Sequence, residues 1–157
     1  MTILLSFIAA NLLAASSGAF FKPGDWYESL AKPSWRPPNW LFAPAWMVLF
    51  LLNAYAGSKA YEAASSEALP TMLIVYGVSL AFNAAWSGLF FGLKRPDWAL
   101  IDLIFLWFSI VVQIIVFASI DTEAAWLVVP YLAWVSFAGV LNLVMWRLNR
   151  ERILARA

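Results

Sequence analysis

Aromatic rings and side-chain amides, rather than acids, bases or thiols, are the groups in this sequence that could do chemistry. Five of its ten tryptophans, Trp46, Trp86, Trp107, Trp134 and Trp146, fall inside long apolar stretches instead of at their ends. Large π-faces lining an apolar cavity favour a flat or polycyclic guest held by stacking, with a few polar groups to orient it. Filling space in a bundle is the plainer role for the same rings. Asn53, Asn83, Gln113 and Asn142 share these stretches, and an amide in hydrocarbon must find a neighbouring helix, a backbone carbonyl or a ligand. Bonding between helices is the default for each of them.

Cysteine and histidine are both absent. Disulfides, thiol nucleophiles, Cys/His zinc sites, imidazole bases and histidine ligation of haem are thereby excluded, and no metal site is expected. Asp102 is the only acid well inside an apolar stretch, where a charge at the bilayer centre costs about 2.5–3.5 kcal/mol. Its place about one turn beyond Asp97 and Trp98 puts it within reach of water, Lys94 or Arg95. No second intramembrane carboxylate is available to take a proton, so pairing rather than a proton relay is expected.

The elements that hold these residues follow from composition. The chain has 157 residues, 64% hydrophobic and 12% charged, against about half apolar and about a quarter charged for a soluble domain. A globule of this length could not hide so much apolar surface from water. Five stretches, 3–21, 41–61, 70–93, 98–120 and 126–148, approach the ~20 residues that a hydrocarbon slab requires. The expectation is an all-α integral membrane bundle of five transmembrane helices, forming a single domain over residues 1–157. Pro70, Pro96 and Pro130 are placed near helix starts, where a missing N–H costs little. LLAASSGA resembles a signal cleavage region, but no basic residue precedes the apolar run, so the first stretch reads as a mature helix.

A net charge of +1 offers no basic face, so nucleic acid is not an expected partner and the lipid bilayer is. All the basic residues except Lys59 fall in the first loop, the third loop or the C-terminal end, which share one side: Lys22, Lys32, Arg36, Lys94, Arg95, Arg147, Arg150, Arg152 and Arg156. Positive charge is retained on the cytoplasmic side. The first loop and the C-terminus are therefore expected in the cytoplasm and the N-terminus outside.

Between the first two spans lies WYESLAKPSWRPPNW, residues 26–40, with Trp26, Tyr27, Trp35 and Trp40 on a backbone stiffened by Pro33, Pro37 and Pro38. Proline biases the residue before it away from helical geometry. Rings floating at headgroup depth need no such carrier. A structured, largely extended aromatic lid over the bundle is expected. In the third span Ala84, Gly88 and Gly92 recur every fourth residue, a small-residue stripe that lets helix backbones approach closely. It could pack within one chain, but a homodimer through this span is preferred.

The runs WYESLAKPSWRPPNWLFAPAW, AFNAAWSGLFFG, ALIDLIF and PYLAWVSFAGVLNLVMWRLN resemble, in order and spacing, the TspO/MBR family of translocator or tryptophan-rich sensory proteins. The resemblance covers nearly the whole chain, from about Phe21 to Asn149. It implies a five-helix, usually dimeric membrane protein, here of a bacterial cell membrane. The first loop of such proteins closes over a pocket for tetrapyrroles such as protoporphyrin and haem, sterols or drug-like ligands. Carried over residue by residue, the ligand-binding positions are Tyr27 from the lid and Pro37, Pro38, Trp46, Asn83, Trp134 and Ala138 from the walls.

Two departures narrow the ligand. LNLVMWR has Leu143 and Val144 where the sterol-recognition pattern of animal relatives needs a tyrosine, which argues against cholesterol. Without histidine, a bound porphyrin or haem would be held by stacking rather than by imidazole ligation. A binding role in tetrapyrrole transport, sequestration or stress signalling is therefore expected, with no required cofactor. The alternative is light-dependent porphyrin breakdown, for which Trp46 and Trp134 would be the electron-donating candidates.

Overall fold

The computed structural model describes residues 1–21 and 23–155. Lys22 and Arg156, two of the basic residues that entered the orientation argument, lie outside the described residues. The elements are α1 (Thr2–Phe20), α2 (Asp25–Glu28), α3 (Asn39–Ala63), α4 (Ala68–Ser87) continued by a π-helical turn (Gly88–Gly92), α5 (Pro96–Ala118) and α6 (Thr122–Leu154). Among the described residues there is no strand. Five helices among the described residues are long and apolar enough to cross a membrane, and the architecture is the expected five-helix membrane bundle.

The helices close a ring. Helix α1 packs on α3 and α4, α3 on α6, α6 on α5, and α5 on α4. Large apolar side chains such as Leu13, Ile74, Phe108 and Ile115 remain exposed around its outside, as lipid-facing surfaces require. Because lipid is as apolar as leucine, packing and hydrogen bonds must hold the ring together. A buried polar chain crosses four of the helices. Ser79 Oγ donates to Gln113 Oε1 at 2.7 Å, Gln113 Nε2 to Asn53 Oδ1 at 2.8 Å, and Asn53 Nδ2 to Asn11 Oδ1 at 3.1 Å. Asn11 Nδ2 donates on to the Tyr76 hydroxyl. The amides Asn53 and Gln113 thus take the interhelical role expected of them.

Helix ends differ from expectation for local reasons. Pro96 opens α5 at a position where its missing N–H has no partner to lose. Asp121 caps α6, accepting from the Ala124 N–H at 3.0 Å. That amide first, and then the nearby Lys59 charge, hold the Asp121 carboxyl below the usual carboxylate range. The cap sets the helix start at Thr122, so Pro130 lies inside α6 rather than near its beginning. At the other end α6 continues to Leu154 instead of stopping near Leu148.

That extra length holds the first loop. Asn149 Oδ1 accepts from the Ala31 N–H at 2.9 Å, and its Nδ2 donates back to the Ala31 carbonyl at 2.9 Å. Arg152 donates to the Ser29 carbonyl at 2.7 Å. The loop is not wholly extended, since α2 winds one helical turn at its start. That turn buries Tyr27 in a small core with Leu30, Phe90, Ala99, Leu141 and Met145. Lys59, in contact with Asp121 at 3.5 Å and Glu123 at 3.1 Å, marks the end of the bundle away from the lid.

Asp102 does not pair as expected. Arg95 is taken by Asp97, with Nε donating to Oδ1 at 2.9 Å, and Asp102 Oδ2 is buried without a hydrogen bond. Two residues from Arg95 in sequence, Asp97 sits at the helix end, whereas Asp102 is a turn further into the bundle.

Candidate functional site

Under the lid the ring encloses a cavity of about 610 Å³. Small-molecule sites typically span about 300–1,000 Å³. Its two aromatic walls come from different helices. On α3, Trp46 stacks on Phe50 with ring centroids 5.6 Å apart, and Phe42 lines the same side. Across α4 and the π-turn, Trp86 stacks on Phe90 at 5.0 Å and meets Phe91 edge-on at 5.7 Å. Tyr27 closes over this wall, 5.5 Å from Phe91. The π-turn, whose extra residue offsets the helix register, carries both phenylalanines; such insertions occur frequently at functional sites.

Polar groups around the cavity are mostly engaged with protein. Asn83 Nδ2 donates to the Tyr131 hydroxyl at 2.8 Å. Trp86 Nε1 donates to Asn142 Oδ1 at 3.3 Å, and Asn142 Nδ2 to the Pro96 carbonyl at 2.8 Å. Asn11 belongs both to the lining and to the buried polar chain, so that chain seals the deep end. Toward lipid the enclosure is looser: Leu12, Met47 and Leu51 line the cavity yet are about half exposed. The α1–α3 seam, where a Cβ added at Gly57 would stand 2.6 Å from the Phe7 ring, opens sideways near the lid.

Of the seven site residues expected from sequence, Tyr27, Trp46, Asn83 and Ala138 line this cavity. Trp134 does not. It stands behind Trp46, with centroids 6.3 Å apart and rings at 85°, and lines a shallower groove between α3 and α6 beside Pro44 and Pro130. Pro37 and Pro38 also lie off the lining; Pro38 precedes α3 in extended geometry and aims that helix.

Sequence reasoning missed the share of α1, which supplies Asn11, Ala14, Ala15, Ser17, Gly18 and Ala19 to the lining. The signal was an amide followed by a run of small side chains, which leaves room for a guest without naming one. The stripe on the third span has a partner inside the chain. A Cβ added at Gly92 would stand 2.8 Å from the Phe21 ring, and one at Gly88 3.4 Å from it.

A ring of membrane-spanning helices around a lid-covered aromatic cavity defines a polytopic α-helical membrane protein with an internal apolar site. The TspO/MBR family matches residues 5–147, and the chain belongs to that family. It is 40% identical over 155 residues to the tryptophan-rich sensory protein of Cereibacter sphaeroides, covering 99% of this chain and 96% of that one. Protein CrtK of Rhodobacter capsulatus is 39% identical over 150 residues, covering 95% and 94%. The translocator protein of Homo sapiens is 33% identical over 150 residues, covering 92% and 89%.

Proposed function

We propose that this receptor-like membrane protein takes a porphyrin- or haem-type tetrapyrrole, or another flat apolar molecule, into the cavity beneath its first loop. The bound molecule is thereby transported, sequestered or sensed under stress. The observation that carries this reading is the cavity itself: about 610 Å³, two aromatic walls, a lid fastened to α6, and a lipid-side opening through which an apolar guest can arrive. Stacking against indole and phenyl faces stabilises planar π-systems. Membership of the family supports a membrane receptor-like role.

The test is a titration of purified protein with protoporphyrin, followed by quenching of tryptophan fluorescence. Trp46→Ala removes a wall face and is expected to weaken binding by about 1–3 kcal/mol, the usual value of a lost aromatic stack. Trp134→Ala, one ring removed from the guest, is expected to change affinity less than threefold, about 0.7 kcal/mol at most. A larger loss from Trp134→Ala than from Trp46→Ala would relocate the guest to the α3–α6 groove.

The same reading places the lid and the C-terminus in the cytoplasm of a bacterial cell. Their docking to each other supports a shared side, and the basic residues there support which side it is. Cysteines introduced at Ser66 and Arg152 report on it in intact cells. Ser66→Cys is expected to label first with an impermeant reagent, and the opposite order reverses the orientation. Homodimerisation along the third span, through Ala84, Gly88 and Gly92, also belongs to this proposal, with Phe21 forming part of the interface.

A further inference from the structure

Among the described residues, none that lines the cavity carries a charge, yet a cation stands directly behind its rim. Tyr27 and Asn39 both line the cavity. Arg36 reaches them together: its Nη1 donates to the Tyr27 hydroxyl at 3.2 Å and to Asn39 Oδ1. Lys32 lies over the same tyrosine ring, Nζ 4.7 Å from the centroid. Glu28 is already engaged, because its Oε2 is 3.7 Å from Lys32 Nζ and its Oε1 accepts from Asn39 Nδ2 at 3.4 Å. Among the described residues Arg36 forms no ion pair. Arg36, Lys32 and Glu28, the charged groups joined by these contacts, sum to one positive charge.

A guanidinium keeps its charge at all working pH values, and its planar fork fits a carboxylate through two parallel N–H donors. Nη1 is used by the lid, whereas Nε and Nη2 make no hydrogen bond among the described residues. The group sits where the apolar interior meets water, so a guest's acidic arm could reach it without leaving solvent entirely. A carboxylate buried deeper would find only amides, hydroxyls and rings.

We propose that Arg36 reads a carboxylate on the guest, so that the preferred ligand is a flat apolar body carrying at least one acidic side arm. Its body lies between the aromatic walls and the acid lies at the lid rim. This rests on the proposed use of the cavity and narrows it to a ligand class. Arg36 is then a specificity-determining residue, and Lys32 a secondary source of positive potential.

The test pairs protoporphyrin with its dimethyl ester, which keeps the ring and removes the charge, each titrated in neutral detergent. The parent is expected to bind the diacid about three- to tenfold tighter than the diester, the range for a partly exposed charge-assisted contact. In Arg36→Gln that preference should vanish, the diacid losing more affinity than the diester, and Arg36→Lys should keep part of it. Equal affinities in the parent, or a preference surviving Arg36→Gln, would overturn the proposal. So would an equal loss of both ligands in Arg36→Gln, which would make Arg36 a support for the lid only. If neither compound binds the parent, the cavity's proposed use fails; if the diester binds and only the preference is missing, that use stands and the role of Arg36 falls.

Discussion

Gly57→Leu should destabilise the bundle strongly at the α1–α3 seam, and it should do so before any ligand is considered. A Cβ at this position would stand 2.6 Å from Phe7 Cδ1 and 2.8 Å from Tyr76 Cε2. Neither ring can simply swing away. Phe7 and Tyr76 meet edge-to-face with centroids 4.9 Å apart, and the Tyr76 hydroxyl is tied to Asn11 and to the Asn53 carbonyl. Overpacking of this kind costs about 1–3 kcal/mol, and displacement of Tyr76 would loosen the polar chain that seals the cavity. Thermal unfolding in mild detergent checks it: Gly57→Ala should lower the midpoint and Gly57→Leu should lower it further. A midpoint equal to the parent's in both would mean that the seam is not packed as described.

The second large effect is on binding with the fold left intact. Ala138 lines the cavity from α6 and is only partly buried. Ala138→Trp should therefore place an indole in the hollow without disturbing helix packing. A guest would have to share that space. The overpacking cost of about 1–3 kcal/mol then falls on the complex alone, a loss on the order of ten- to a hundredfold in affinity. The check is porphyrin affinity beside the unfolding midpoint of the same variant. Unchanged affinity at an unchanged midpoint would place the guest elsewhere.

The spans, the lid and part of the site were legible in the sequence because each rests on composition or local chemistry. Apolar length gives the five helices, and Pro33, Pro37 and Pro38 mark a stiff connection. Tyr27, Trp46, Asn83 and Ala138, carried by the family resemblance, line one cavity. The remainder depended on helix phase and neighbours. Whether Trp134 faces the hollow or the outer groove is set by how α6 is rotated against α3, which a chain with apolar residues on every side does not encode as a stripe.

Asn11 and the small residues of α1 acquire meaning only once α3 and α4 stand beside them. The π-turn at Gly88–Gly92 carries no sequence signature that separates GLFFG from an ordinary helix. The last turns of α6 look like a polar tail until Asn149 and Arg152 are seen holding Ala31 and Ser29. Asp102 shows the reverse limit: sequence proximity suggested Arg95, but Asp97, only two residues away, already occupies that guanidinium.

The most direct test of the central claim is an equilibrium titration of the purified parent with protoporphyrin, read through the tryptophans. Trp46 and Trp86 line the hollow beneath Tyr27 from two different helices, so a guest held there should quench strongly and saturate at one molecule per chain. Quenching that climbs linearly with no plateau, or none at all, would contradict the account.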